Sequence, residues 1–187
     1  MKLIYKGKYD GNELELPQRE HPDGAIQFKE PQDMKTFSVV INVFAIMVTA
    51  VFFLLLRIRA GHFVMDFWGI IISLVTLVPH EILHAICFQK EVYMYQNIKQ
   101  GMMFVSGTED MSKTRFVVMS LCPNVILGFI PFLLFMVNPQ LELLGTLGAF
   151  AIGMGSGDYF NVFLALTQMP KGAKTYISGM HSFWYIP

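Results

Sequence analysis

FVMDFWGIIISLVTLVPHEILHAICF, residues 63–88, is an apolar run that carries His80, Glu81 and His84 close together. About 20 apolar residues suffice to cross a bilayer as a helix, so the run is long enough to do so. On a helix, residues i and i+4 share a face, which lets both imidazoles reach one ion with Glu81 beside them. This is HExxH, the spacing of a metal-binding histidine pair with an adjacent base. Ionisable side chains are costly inside an apolar helix and are usually kept there for function. The bland alternative packs the three against polar neighbours with no ion.

The rest of the chain extends the same pattern. Further apolar runs lie near 37–56, closed by Arg57 and Arg59, near 116–137, and near 141–166, with Asn138-Pro139-Gln140 as a tight turn between the last two. The expected fold is mainly α: an integral membrane bundle of about four transmembrane helices over residues 37–187, with spans near 37–56, 63–88, 116–137 and 141–166. Residues 1–36 form a short polar N-terminal segment, in which Leu3–Tyr5 and Glu13–Leu16 read as short strands and Asp10-Gly11-Asn12 as a turn. Pro17, Pro22 and Pro31, and the lack of an early apolar core, argue against a signal peptide. Between helices two and three, Val92–Tyr95 and Met102–Val105 pair as a β-hairpin around Gly101. That hairpin is either an ordinary connection or an exposed strand edge that holds a substrate extended.

Composition supports a membrane location. Of 187 residues, 53% are hydrophobic and only 15% charged, against about 25% charged in soluble domains. The formal net charge is zero, and no basic stripe is interleaved with aromatics, so nucleic acid is excluded as the expected partner. Membrane lipid is the expected surrounding. Cys87 and Cys122 both lie in apolar stretches and read as buried thiols rather than a disulfide. With four spans, Lys2, Lys6, Lys8, Arg19, Lys29, Lys35, Lys90, Lys99, Lys113, Arg115, Lys171 and Lys174 fall on one side of the membrane. Only Arg57 and Arg59 fall on the other, so the positive-inside rule puts both termini in the cytosol.

Catalytic zinc normally takes three protein ligands and a water. Asp158, in GMGSGDYFN at 153–161, lies at a depth in span four comparable to that of His80 and His84 in span two. Glu142 and Asp66 fall near the opposite surface, so Asp158 is the expected third ligand, with Cys122 a weaker alternative. Asn161, three residues on, either orients that carboxylate, binds substrate or bonds a neighbouring helix. Gly153 and Gly157 are spaced for close helix packing. On span three, Pro123 interrupts the helix ladder, and Asn124 either donates to a developing oxyanion or stabilises the kink. His21, His62 and His181 lie in polar or terminal segments and read as non-ligands.

HEILH on one membrane helix, Pro-Asn on the next and GDYFN on the last resemble the zincin-peptidase family of small bacterial membrane proteins. That family is similar in turn to the site-2-protease-like intramembrane metalloproteases. Met169-Pro170-Lys171-Gly172-Ala173 and Ser178-Gly179 add to the likeness, which covers roughly residues 60–187. The resemblance implies Zn²⁺ held by His80, His84 and Asp158, with Glu81 as general base and Asn124 as the counterpart of the middle-helix asparagine. Site-2 proteases commonly carry an Asn-Pro-Asp-Gly-like last motif, whereas here Gly157 precedes the aspartate and Asn161 follows it.

The expected activity is hydrolysis of a peptide bond in or near the membrane, on a membrane-bound protein or peptide substrate. Two other classes remain open at this level: a non-enzymatic metal-binding transporter or sensor, and an inactive structural partner. Scattered polar residues in the outer half of the spans, such as Thr49, Ser73 and Asp66, give a transporter little of the continuous path it needs. The intact Glu81 is of no use to a scaffold.

Overall fold

A computed structural model describes residues 1–31, 34–97 and 102–187. The chain divides into two compact units, one formed by Pro31–His80 and Leu121–Phe160, the other by Met1–Glu30, Glu81–Ser120 and Asn161–Pro187.

The first unit is helical. It contains α1 (Met34–Ala60), α2 (Phe67–Val75), the start of α3 (Leu77–Ile86), a π-turn (Asn124–Phe129), α5 (Ile130–Val137), α6 (Glu142–Met154) and the start of α7 (Ser156–Gln168). Helix α6 is its axis, packed by α1, α2, α5 and the π-turn. Small residues make that approach feasible: a Cβ on Gly148 would lie 2.6 Å from the backbone nitrogen of Phe132. Leu56, Val64, Phe132, Phe135, Ala149 and Ile152 form the buried core. By contrast, only 6% of the most apolar window of α1 is buried, and Val43, Ile46, Val51, Leu54 and Ile58 face outward. An apolar surface of that length suits lipid rather than water.

Thr36–Ala60 and Lys113–Val137, each 25 residues, are long and apolar enough to cross a membrane. The second joins α4 (Lys113–Pro123), the π-turn and α5. The expected spans near 63–88 and 141–166 are each broken in two, α2 with α3 bent by 41° and α6 with α7 by 49°. Counting each bent pair as one span gives up to four. The chain is thus mainly helical and reads as a membrane protein.

The first break follows from Pro79, whose ring conflicts with the carbonyl of Val75 and which has no N–H to give it. Beside the break, the Thr76 hydroxyl donates to the Ser73 carbonyl at 2.6 Å, and His80 N–H donates to the Thr76 carbonyl at 2.9 Å. At the second break Gly155 caps α6, and the Ser156 hydroxyl donates to the Gly153 carbonyl at 2.7 Å. Interrupted backbone is tolerated in a membrane segment only where such partners exist.

The second unit holds two small sheets. In one, β1 (Lys2–Lys8) runs parallel to β3 (Glu91–Asn97), which pairs antiparallel with β4 (Met102–Ser106). The pairing of β3 with β4 is the expected hairpin, with Met94 opposite Val105 and Tyr95 opposite Phe104. Its turn, around Gly101, lies outside the described residues. Tyr9, Leu16 and Tyr95 make a small buried cluster in this unit. The other sheet has the order β2 (Ile26–Gln27), β7 (His181–Tyr185), β6 (Lys174–Ser178), β5 (Met111–Ser112), all antiparallel.

Three features differ from the sequence reading. The strand expected at Glu13–Leu16 is a single 3₁₀ turn, because the Asn12 side chain accepts from Leu14 N–H and closes it. The four-stranded sheet was not expected, since two of its strands are only two residues long. The two cysteines are thiols rather than a disulfide, and they are half-buried rather than buried.

Candidate metal centre

Helix α3 begins just after the break at Thr76 and presents His80, Glu81 and His84. One ligand atom from each lies within 4.8 Å of the others, the one such metal-competent group among the described residues. Glu81 and His84 are buried, at 8% and 6% exposure. Helix geometry alone accounts for this cluster, as the i, i+4 spacing requires.

The partners of the two histidines are not local. His84 Nδ1 donates to the Met119 carbonyl on α4 at 2.9 Å, which selects the tautomer whose Nε2 carries the lone pair. That carbonyl is available for a sequence reason. In an α-helix it would accept from the N–H four residues on, and that residue is Pro123. The proline expected to kink the span therefore also releases an acceptor that orients His84. Pro123 four positions after Met119 was the signal that could have shown it.

His80 Nε2 lies 3.1 Å from Asp158 Oδ2, with both side chains mostly buried. Two ligands on a tetrahedral zinc, each about 2.0–2.1 Å from the ion, are separated by about 3.3 Å. The pair thus has the spacing of one edge of such a site, and two imidazoles with a carboxylate are a donor set suited to zinc. Asp158 is not one of the mutually close group on α3; its contact is with His80. Asn124 Nδ2 donates to the same Asp158 Oδ2 at 2.8 Å. Asn161 stands one turn further along α7, partly exposed.

The acidic residues set aside by depth and the histidines read as non-ligands have partners elsewhere. Asp66 caps α2 by accepting from Gly69 N–H at 2.7 Å, and Glu142 pairs with His62 at 3.0 Å. His21 contacts the Tyr176 hydroxyl at 2.8 Å, and His181 pairs with Glu30 at 3.1 Å. Cys87 Sγ, just past the end of α3, contacts the Leu83 carbonyl at 3.6 Å.

The loop after α3 is anchored by a residue the sequence reading passed over. Glu109 accepts from Gln89 N–H at 3.0 Å and Lys90 N–H at 2.6 Å, and it pairs with Arg115. Arg115 in turn donates to the Cys87 carbonyl, at 3.0 Å from Nε. Nothing in local periodicity marks Glu109, which sits in a polar loop in sequence and is 7% exposed in the fold.

The sequence model of the family described as "Putative zincin peptidase" matches residues 73–174, which contain α3, the hairpin, α4 to α7 and every candidate ligand. No curated protein and no solved structure matches the chain.

Proposed function

The chain belongs to the family described as "Putative zincin peptidase", and from that premise we propose that it is a zinc-dependent peptidase acting on peptide bonds within or next to a membrane. The observation that carries the reading is the group on α3 together with the Asp158 oxygen 3.1 Å from His80 Nε2. His80, His84 and Asp158 hold the metal, and Glu81 is the general base. Zinc, when bound, polarises a carbonyl and lowers the pKa of a water toward about 7.

The chain's own residues do the rest. Glu81 takes a proton from the attacking water at its carboxylate and returns it to the leaving amine. The Met119 carbonyl keeps the His84 ring in one tautomer and orientation. The substrate is a protein or peptide held at the membrane. Both termini face the cytosol, a placement supported by the distribution of Lys and Arg.

The test uses detergent-purified protein. Wild type is expected to carry about one zinc per chain, with the metal lost in His80→Ala and Asp158→Ala. Glu81→Gln should keep its zinc and lose cleavage of a fluorogenic peptide library that the wild type cleaves. Zinc-free wild type after supplementation, or cleavage unchanged in Glu81→Gln, refutes the assignment.

A further inference from the structure

Asn124 is a primary amide, 1% exposed, in the middle of a helix that is apolar enough to cross a membrane. Buried amides persist where they are hydrogen-bonded. It occupies the first position of the π-turn, directly after Pro123, and π-turns inside helices recur at functional sites. Its Nδ2 donates to Asp158 Oδ2 at 2.8 Å, and that oxygen is the one lying 3.1 Å from His80 Nε2.

We propose that Asn124 is a positioning residue for the metal site, orienting the Asp158 carboxylate toward His80, and that Gly155 lacks a side chain so that the amide can occupy this place. The proposal rests on the reading of Asp158 as a zinc ligand.

The terminal torsion of an aspartate is broad and roughly two-fold, so the carboxylate alone does not settle which oxygen it presents. One donor on Oδ2 removes that freedom. A carboxylate oxygen has two lone-pair sites; the Asn124 N–H takes one, and the other remains for the side facing His80. A neutral donor suits the task better than Lys or Arg, which would orient the carboxylate equally well but place a positive charge beside a dication. Metal-ligating carboxylates are themselves hydrogen-bonded as a rule, and loss of such a partner weakens metal binding.

Gly155 supplies an independent observation. A Cβ there would lie 1.5 Å from Asn124 Oδ1 and 2.5 Å from its Cγ, inside the volume of the amide. The Gly155 carbonyl also accepts from Asp158 N–H at 3.0 Å. One residue thus makes room for the amide and anchors the turn of α7 that carries the carboxylate. The oxyanion role considered for Asn124 differs in its consequence, because a donor to a reacting oxygen affects turnover and leaves metal affinity alone.

The experiment measures zinc affinity by chelator competition, and the visible spectrum of the Co²⁺-loaded protein, for wild type, Asn124→Ala, Asn124→Asp, Gly155→Ala and Asp158→Ala. Asn124→Ala and Asn124→Asp should bind zinc about 10–100-fold more weakly than wild type, with an altered Co²⁺ spectrum. Gly155→Ala should do the same with the amide chemistry intact, and it decides the matter if the Asn124 variants fail to fold. Zinc affinity and Co²⁺ spectrum equal to wild type in the Asn124 variants, or in Gly155→Ala where those do not fold, overturn the proposal. Wild type that binds no zinc, or Asp158→Ala that binds it normally, overturns the underlying reading as well.

Discussion

Glu109→Gln should destabilise the protein strongly although residue 109 lies outside every helix and strand. The Glu109 side chain is 4% exposed, and its partner Arg115 is 25% exposed. The carboxylate satisfies two backbone N–H groups, of Gln89 and Lys90, besides the guanidinium. Removing one partner of a buried ion pair costs about 3–5 kcal/mol, because the other charge stays buried without compensation. Arg115 keeps its bond to the Cys87 carbonyl and is partly solvated, which places the expected loss near the lower end, about 3 kcal/mol. A glutamine amide also turns an N–H toward donors that previously met an acceptor. Each kcal/mol moves Tm by about 2–4 °C in a chain of this size, so the shift should be about 6–12 °C. Thermal unfolding in detergent, followed by tryptophan fluorescence, measures it. Arg115→Met should be similarly harmful alone, and the double variant should recover part of the loss. A Tm within about 2 °C of wild type for Glu109→Gln, or strictly additive single effects, refutes the argument.

Two further outcomes follow from the same physics. Burial raises the Glu30 carboxyl above its ordinary 4.5, against the lowering influence of the Ser182 N–H and His181. A raised folded pKa means that this stability is full below about pH 4.5 and is lost as pH rises through the folded value. The advantage in Tm of Glu30→Gln over wild type should therefore grow from about pH 4 to pH 7; a constant difference across that window refutes it. Pro123→Ala supplies an N–H able to compete with His84 for the Met119 carbonyl. Zinc affinity should fall about tenfold or more while Tm holds or rises, since proline inside a helix costs about 3 kcal/mol. Unchanged affinity would mean that the carbonyl does not orient His84.

Much of this was legible one-dimensionally. The apolar runs near 37–56 and 116–137 are helices of 25 residues in the fold, since length and uniform apolarity are properties of a segment by itself. HEILH at 80–84 places its three side chains together because the helical repeat does so wherever the segment lies. The hairpin of Val92–Tyr95 with Met102–Val105 was visible because its strands are neighbours in sequence. The parallel partner of β3 was not, because β1 lies about 90 residues away and only packing brings Lys2 opposite Glu91. The breaks at Thr76 and Gly155 are hidden in the apolar runs near 63–88 and 141–166, since hydropathy does not register backbone geometry.

The sequence by itself determined the metal-competent side chains, their spacing on α3 and the apolar character of the helices, because each depends on local repeat and composition. Only the tertiary structure decided which oxygen of Asp158 meets His80, why Asn124 and Gly155 belong together, and which carbonyl holds His84. Those are relations between groups on different helices, and they exist only once close packing has set the helices at definite distances and rotations.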